Sequence, residues 1–415
     1  MTIGSSITLA VQKILHGNNN ALNSIFGVST GELDSPYITS SFDIIGGDDS
    51  LNTLVGDAYT LSGNGYEAGY GYAAGLVGGN TIVGGANASN FMTGSAYQVI
   101  NTGPPPLGYS GTGPVPNEME IGHNTIVGGA DSNNNGYGDA YIINTVLAAG
   151  GSNTLTGGAN STNNMAGDAY SIVGQGVTVG ANTLTGGADS NNFLFGDAWI
   201  MNGSGAHGAS GGGNHVTGGN YSLNMLYGGA QQLSATASTG HNTVTGGASS
   251  TNYEFGDGQE MDDASGGDNT VIGGADSTNY LYGDALVANA ATPSGTGLSQ
   301  GGGNTVEAGL NSTSYMWGGA ALGTNYEFNP LTRAPLGIQD FAANTFVFTN
   351  GDGTAYIEDF REAIDLIDLK GFSGLSSFSQ LDITVSGGDS TINVGSNRIV
   401  VSNDTQLTAA DFKFG

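Results

Sequence analysis

Residues Asn182–Trp199 read NTLTGGADSNNFLFGDAW. Leu184 is apolar between Thr183 and Thr185, and Leu194 lies between Phe193 and Phe195. Stretches of three to five residues with this alternation, each ended by glycine, read as short strands joined at corners. The pattern N-T-(I/V/L)-x-G-G-A-(D/N)-S-x-N-x-x-x-G-D-A recurs from Asn80, Asn124, Asn153, Asn182, Asn214, Asn242, Asn269 and Asn304. A ninth copy opens at Phe42 without the first Asn. Start-to-start distances run from 27 to 44 residues, yet the first corner glycine and the second stay ten apart, as in Gly186 and Gly196. The constant part must stack. The variable part either loops out or forms a third, tolerant side.

A single coil of this kind cannot bury its apolar side alone, so coils stack. The expected fold is all-β: a parallel β-solenoid of about nine coils, with loop insertions and a β-rich C-terminal cap. At about 4.8 Å per parallel strand, nine coils make a rod on the order of 45 Å. Glycine at the corners allows φ > 0 without Cβ strain, and Asn and Asp tolerate the same turn region. Three regions follow: residues 1–40 as an N-terminal cap or assembly segment, 41–322 as the repeats, and 323–415 as the C-terminal cap. The insertions at 59–79 and 97–123, rich in Gly, Tyr and Pro, read as surface loops or lateral contacts between subunits.

Asparagine recurs in register at two positions. Asn80, Asn124, Asn153, Asn182, Asn214, Asn242 and Asn269 open the units, and Asn90, Asn134, Asn163, Asn192, Asn224, Asn252 and Asn279 follow ten residues later. Stacked amides can hydrogen-bond along the axis, so both series are expected to form ladders.

Composition excludes several partners. The net charge of −29, from 35 acids and 6 bases, disfavours nucleic acid and anionic membranes and favours cations. Cysteine is absent, so no disulfide staples the fold. No run approaches a membrane-spanning length, so no membrane insertion is expected. The first twenty residues lack a basic, apolar secretory leader.

The units resemble the hemolysin-type (RTX) calcium-binding repeat, G-G-x-G-x-D-x-U-x, as in GGADSTNYLYGDA from Gly273. They depart from it in three ways. The half-unit has ten residues, the third glycine is missing, and the aspartate position holds Asn279, as it holds Asn52 in the first copy. The resemblance implies calcium in the turns. The carboxylates available there are Asp48, Asp49, Asp131, Asp189 and Asp276, with Asp57, Asp139, Asp168, Asp197, Asp257 and Asp284 after the second glycine. Stacking is expected to bring like charges to about 4.8 Å, which calls for a cation or good hydrogen bonds. Capping of turn N–H groups is the alternative role for these acids.

Residues 344–372, NTFVFTNGDGTAYIEDFREAIDLIDLKGF, are similar to the C-terminal region of type I-secreted members of that family. The final LTAADFKFG, through Asp411, Phe412 and Phe414, resembles their uncleaved secretion signal. The resemblance implies export by an ABC transporter and an extracellular or cell-surface location. Asp352, Asp359, Asp365 and Asp368 are further candidate calcium ligands, or turn residues.

Familiar catalytic arrangements are absent: H-E-x-x-H does not occur, and no G-x-S-x-G elbow sits on a strand-turn-helix pattern. The expected role is a non-enzymatic, calcium-stabilised, self-assembling structural protein, a filament, surface-layer or biofilm-matrix subunit. Two alternatives stand beside it. One is a glycan- or ice-binding repeat protein displaying Thr154, Thr183, Thr243 and Thr270, possible partners including cell-surface polysaccharide. The other is a polysaccharide lyase or epimerase built on a solenoid.

Overall fold

The computed structural model describes residues 13–27, 29–34, 41–62, 76–100, 119–146, 148–203, 208–289, 299–321 and 342–415. The insertion cores read as surface loops or lateral contacts, residues 63–75 and 101–118, lie outside the described residues.

The fold is a parallel β-solenoid. In the coil quoted above, Thr183–Thr185, Asn191–Phe195 and Ala198–Gly203 are its three strands. They belong to sheets that run the length of the molecule, here named A (13 strands), B (14 strands) and C (9 strands). The variable stretch therefore forms a third side. A fourth, thinner seam joins Ala149, Thr178, Ser210, Ser238, Ser265 and Gln300 by single parallel bridges.

Register follows the repeat residue by residue. Leu184 pairs with Leu155 and Val216, and Asn192 with Asn163 and Asn224. Ile126, Leu155, Leu184, Val216 and Val244 of sheet A face Met165, Leu194 and Leu226 of sheet B, all fully or almost fully buried. Burying each such side chain is worth about 1.5–3 kcal/mol. A second apolar column, including Ile143, Ile172, Met201, Leu233 and Met261, lines sheet C.

Strands extend past both ends of the recognisable repeats. Lys13–His16, Leu22–Phe26 and Ser29–Asp34 build a coil in register with that of Phe42. At the other end, Thr345–Thr349 and Gly353–Ile357 continue sheets A and B. An antiparallel pair, Asp389–Val394 and Asp382–Ser386, then closes sheet B beyond Asn397–Val401. Fourteen stacked strands span about 60 Å at the usual spacing.

The glycines of the corner pairs do not take the positive φ open to them. Positive φ falls instead on the residue three past the first glycine, or past Ala308 in the last unit: Asp49, Asn87, Asp131, Asn160, Asp189, Tyr221, Ser249, Asp276 and Asn311. The glycine pair is needed for close approach. A Cβ at Gly186 would lie 2.7 Å from both Asn192 Cγ and Gly219 N, and one at Gly187 would strike the Gly158 carbonyl.

Candidate cation sites and the corners that carry them

The A–B corner holds the first group of candidate ligands. Asp48, Asp49, Asp131, Asp189 and Asp276 are exposed there. The expected stack of like charges does not form in the left-handed column. Asp131 is flanked by Asn87 and Asn160, Asp189 by Asn160 and Tyr221, and Asp276 by Ser249 and Asn311. Within this column no two carboxylates are neighbours from coil to coil, so no repulsion along it has to be relieved. Asp276 accepts from Asn311 Nδ2 at 2.6 Å, and Asp48 accepts from Ala86 N at 2.8 Å. Shallow polar grooves of about 450 and 630 Å³ follow this corner and meet at Tyr221. Carboxylate and amide oxygens on an open surface suit a loosely held, hydrated calcium.

Beneath this corner lies the second asparagine series. Asn192 Nδ2 donates to Asn224 Oδ1 at 2.9 Å and to the Gly187 carbonyl at 2.9 Å, while its Oδ1 accepts from Asn163 Nδ2 and Gly187 N. The same chain of amides runs from Asn23 through Asn52, Asn90 and Asn134, and onward through Asn224, Asn252 and Asn279 to Ser314. Every amide in it is buried. A parallel serine series, including Ser161, Ser190 and Ser222, bonds turn carbonyls and the N–H of the preceding coil. The position that carries aspartate in the calcium repeat is here a closed amide ladder.

The first asparagine series joins coils differently, from side chain to backbone. Asn153 N donates to Asn182 Oδ1, and Asn182 N to Asn214 Oδ1, each at 2.8 Å. The relation holds from Asn80 through Asn124, Asn242 and Asn269 to Asn344. The freed Nδ2 of Asn182 donates to the Gly196 carbonyl and to Asp168 Oδ2 at 2.7 Å.

That bond leads to the second group of candidates. Asp57, Asp139, Asp168, Asp197, Asp257 and Asp284 sit at the B–C corner and are fully or almost fully buried. Here like groups do stack in consecutive coils. Burial pushes Asp139 and Asp168 well above the usual carboxylate range, and a hydrogen bond between them raises one and lowers the other. Burial likewise lifts Asp197 to about 7 and Asp257 to about 6, against donors from Asn214 and Gly212, and from Thr239 and Gly267. Asp139 Oδ2 and Asp168 Oδ1 converge over Gly150, at 2.7 and 3.1 Å from where a Cβ would stand. Two touching carboxyls in a dry corner suit one shared proton. They do not suit calcium, which takes six to eight oxygens. Among the described residues no three His, Asp or Glu side chains gather as a metal would need.

The C-terminal candidates serve as caps and in two ion pairs. Asp352 accepts from Thr349 N and Oγ1, at 2.5 and 2.8 Å. Asp359 accepts from Gly318 N and Gly319 N, and burial lifts it to about 6. Asp365 takes the Arg361 guanidinium through two bonds, 3.0 and 2.6 Å, and the Asn344 N–H. Asp368 lies 3.5 Å from Lys413 Nζ. Asp411 is buried, which pushes it up, but Ala363 N, Thr408 N and the Thr408 hydroxyl bring it below its ordinary value. Phe412 is buried against Phe378, with ring centroids 5.4 Å apart, and Phe414 packs beside it.

The outer surfaces bear on the remaining readings. Sheet A presents two outward positions per strand: Thr154 and Thr156, Thr183 and Thr185, Thr243 and Thr245. These three coils carry threonine at both positions, while their neighbours pair one threonine with Val127, His215, Ile272 or Glu307. Aromatic rings on sheets B and C stack on one another along the axis. Phe195, Tyr227, Phe255, Tyr282 and Trp317 lie 4.6–4.9 Å apart within 11° of parallel. Rings stacked this way spend their faces on each other. No helix among the described residues is long and apolar enough to cross a membrane. No protein-family model matches the chain, and no curated protein matches it.

Proposed function

We propose that the chain is a secreted structural protein that associates with itself end to end, as a filament or matrix subunit. One observation carries this reading. The coil at residues 13–34 ends all three sheets, and among the described residues nothing pairs with its outer edge. It has the geometry of an interior coil. Asn23 already donates to Asn52, but among the described residues its Oδ1 accepts only from Asn18 N, where interior members also accept an amide from the coil before. An open parallel edge with an open ladder is a template for another strand, and repeated head-to-tail contacts that do not close make filaments.

Export through a type I ABC transporter fits the C-terminal resemblance. In this reading Asp411, Phe412 and Phe414 are recognised before folding buries them. Calcium then acts from outside, at the exposed A–B corner, against the charge of −29. Electron microscopy of the purified chain with calcium and with chelator tests the assembly. Ordered end-to-end particles support it; monodisperse monomers under both conditions overturn it.

A second reading is favoured by the paired threonines of sheet A. A face of hydroxyls and methyls repeating at about 4.8 Å suits ice or a regular glycan. Thermal hysteresis and glycan-array binding test it, and silence in both removes it.

A further inference from the structure

The inward column of sheet B reads Leu54, Met92, Gly136, Met165, Leu194, Leu226, then Glu254, then Leu281 and Met316. Glu254 is the one acid in this run. It is completely buried, and neither carboxyl oxygen has a hydrogen-bond partner. The nearby Gly246 N–H is already given to the Ile272 carbonyl at 2.9 Å. The apolar packing breaks at this place. One cluster runs from Phe42 to Leu226 and Val244, and another begins at Val271 and Leu281 and continues into the C-terminal cap.

We propose that Glu254 is a pH-operated break point in the solenoid. Protonated, it lets the coil of residues 243–262 stack as an ordinary rung. Ionised, it puts an uncompensated charge between the two apolar clusters and loosens that rung from its neighbours, so that the molecule divides into an N-terminal stack and a capped C-terminal stack. The strands packed beside Glu254 offer no countercharge. Its partners along sheet B are Leu226 and Leu281, and the facing strands of sheet A turn Val216, Val244 and Val271 inward. The only other acid that this coil buries is Asp257, at the next corner, and it is a like charge. Burial drives the Glu254 carboxyl well above its ordinary range, against a smaller opposing effect of the nearby Gly246 N–H, in agreement with this geometry.

The test is hydrogen exchange on the full chain at pH 5 and pH 8, corrected for intrinsic rates, for wild type, Glu254→Leu and Glu254→Gln. Leucine matches Leu226 and Leu281; glutamine keeps the shape without the charge. The expected result is a loss of protection at pH 8, centred on residues 243–282, that is at least tenfold larger in wild type than in either variant, where only the titration of the buried aspartates remains. Equal protection at both pH values in wild type overturns the proposal. So does the same loss in either variant, which would place the effect on the buried aspartates of the B–C corner. If Glu254→Leu does not fold, Glu254→Gln decides alone.

Discussion

Thr239 fills the space that Gly229 leaves open. A Cβ at Gly229 would collide with Thr239 Cγ2, and the Thr239 hydroxyl donates to the Asp257 carboxylate of the next coil. In the coils of Asp197, Asp257 and Asp284 the arrangement is reversed. Aspartate follows the second glycine, and Gly211, Gly266 or Gly301 stands across from it, each where a Cβ would strike the carboxyl. In these four coils the bulk sits on one of the two positions, whereas the coil of Asp168 carries Val179 across from it.

Gly229→Asp alone should therefore destabilise by about 1–3 kcal/mol through overpacking. Thr239→Gly alone should also destabilise, by removing packing and the donor to Asp257. The double variant recreates the Asp197–Gly211 pairing and should recover most of the loss. A double-mutant cycle from urea unfolding checks this; strict additivity of the two losses contradicts it.

Asn192→Ala strands the Asn163 amide, the Asn224 carbonyl and both polar groups of Gly187. Each buried group so orphaned costs about 1–3 kcal/mol. Asn192→Asp, the residue found at this place in the calcium repeat, should be no better, because a carboxylate cannot donate to Asn224 Oδ1 or the Gly187 carbonyl. Thermal unfolding of both variants with and without calcium measures this. Rescue of Asn192→Asp by calcium would show that the ladder can be converted to a metal site.

Stability should fall as pH rises. Asp197 at about 7 and Asp257 at about 6 in the fold stand above an ordinary aspartate at about 3.9. A carboxyl raised in the folded state binds its proton more tightly there than when unfolded. Its contribution is complete below about pH 4 and is lost through the two folded values, about 6 and about 7. Urea midpoints between pH 4 and 8 should decline, and Asp197→Asn and Asp257→Asn should flatten the decline. A midpoint rising over that range would refute the protonated corner.

Calcium should bind weakly, with dissociation constants on the order of 0.1–1 mM as in open extracellular sites. It should raise the melting temperature through the exposed corner. Combined Asp131→Asn, Asp189→Asn and Asp276→Asn should abolish the rise, whereas Asp197→Asn should leave it intact. Calorimetry with no heat of binding and no thermal shift would dismiss the cation.

Much of this architecture was legible in the sequence because a stacked coil copies its constraints into every repeat. The ten-residue glycine spacing and the asparagines in register with it demand parallel strands and amide ladders, and both are present. The coil at residues 13–34 was not legible. It keeps Asn23 and the strand alternation, but GNNNA stands where the repeats have GGADS.

Asp189 and Asp197 show where local sequence stops being informative. They lie eight residues apart, each shortly after a glycine, and look alike as candidate ligands. Asp189 is exposed in a left-handed turn, and Asp197 is completely buried. The sequence determined that there would be coils, how long their fixed sides are and which residues stack. The tertiary structure decided which corner faces water. The direction in which each corner points depends on how three sheets close around the core, and no single repeat contains that closure. The same closure places Glu254, one substitution in a column of leucines and methionines, where its charge has no partner.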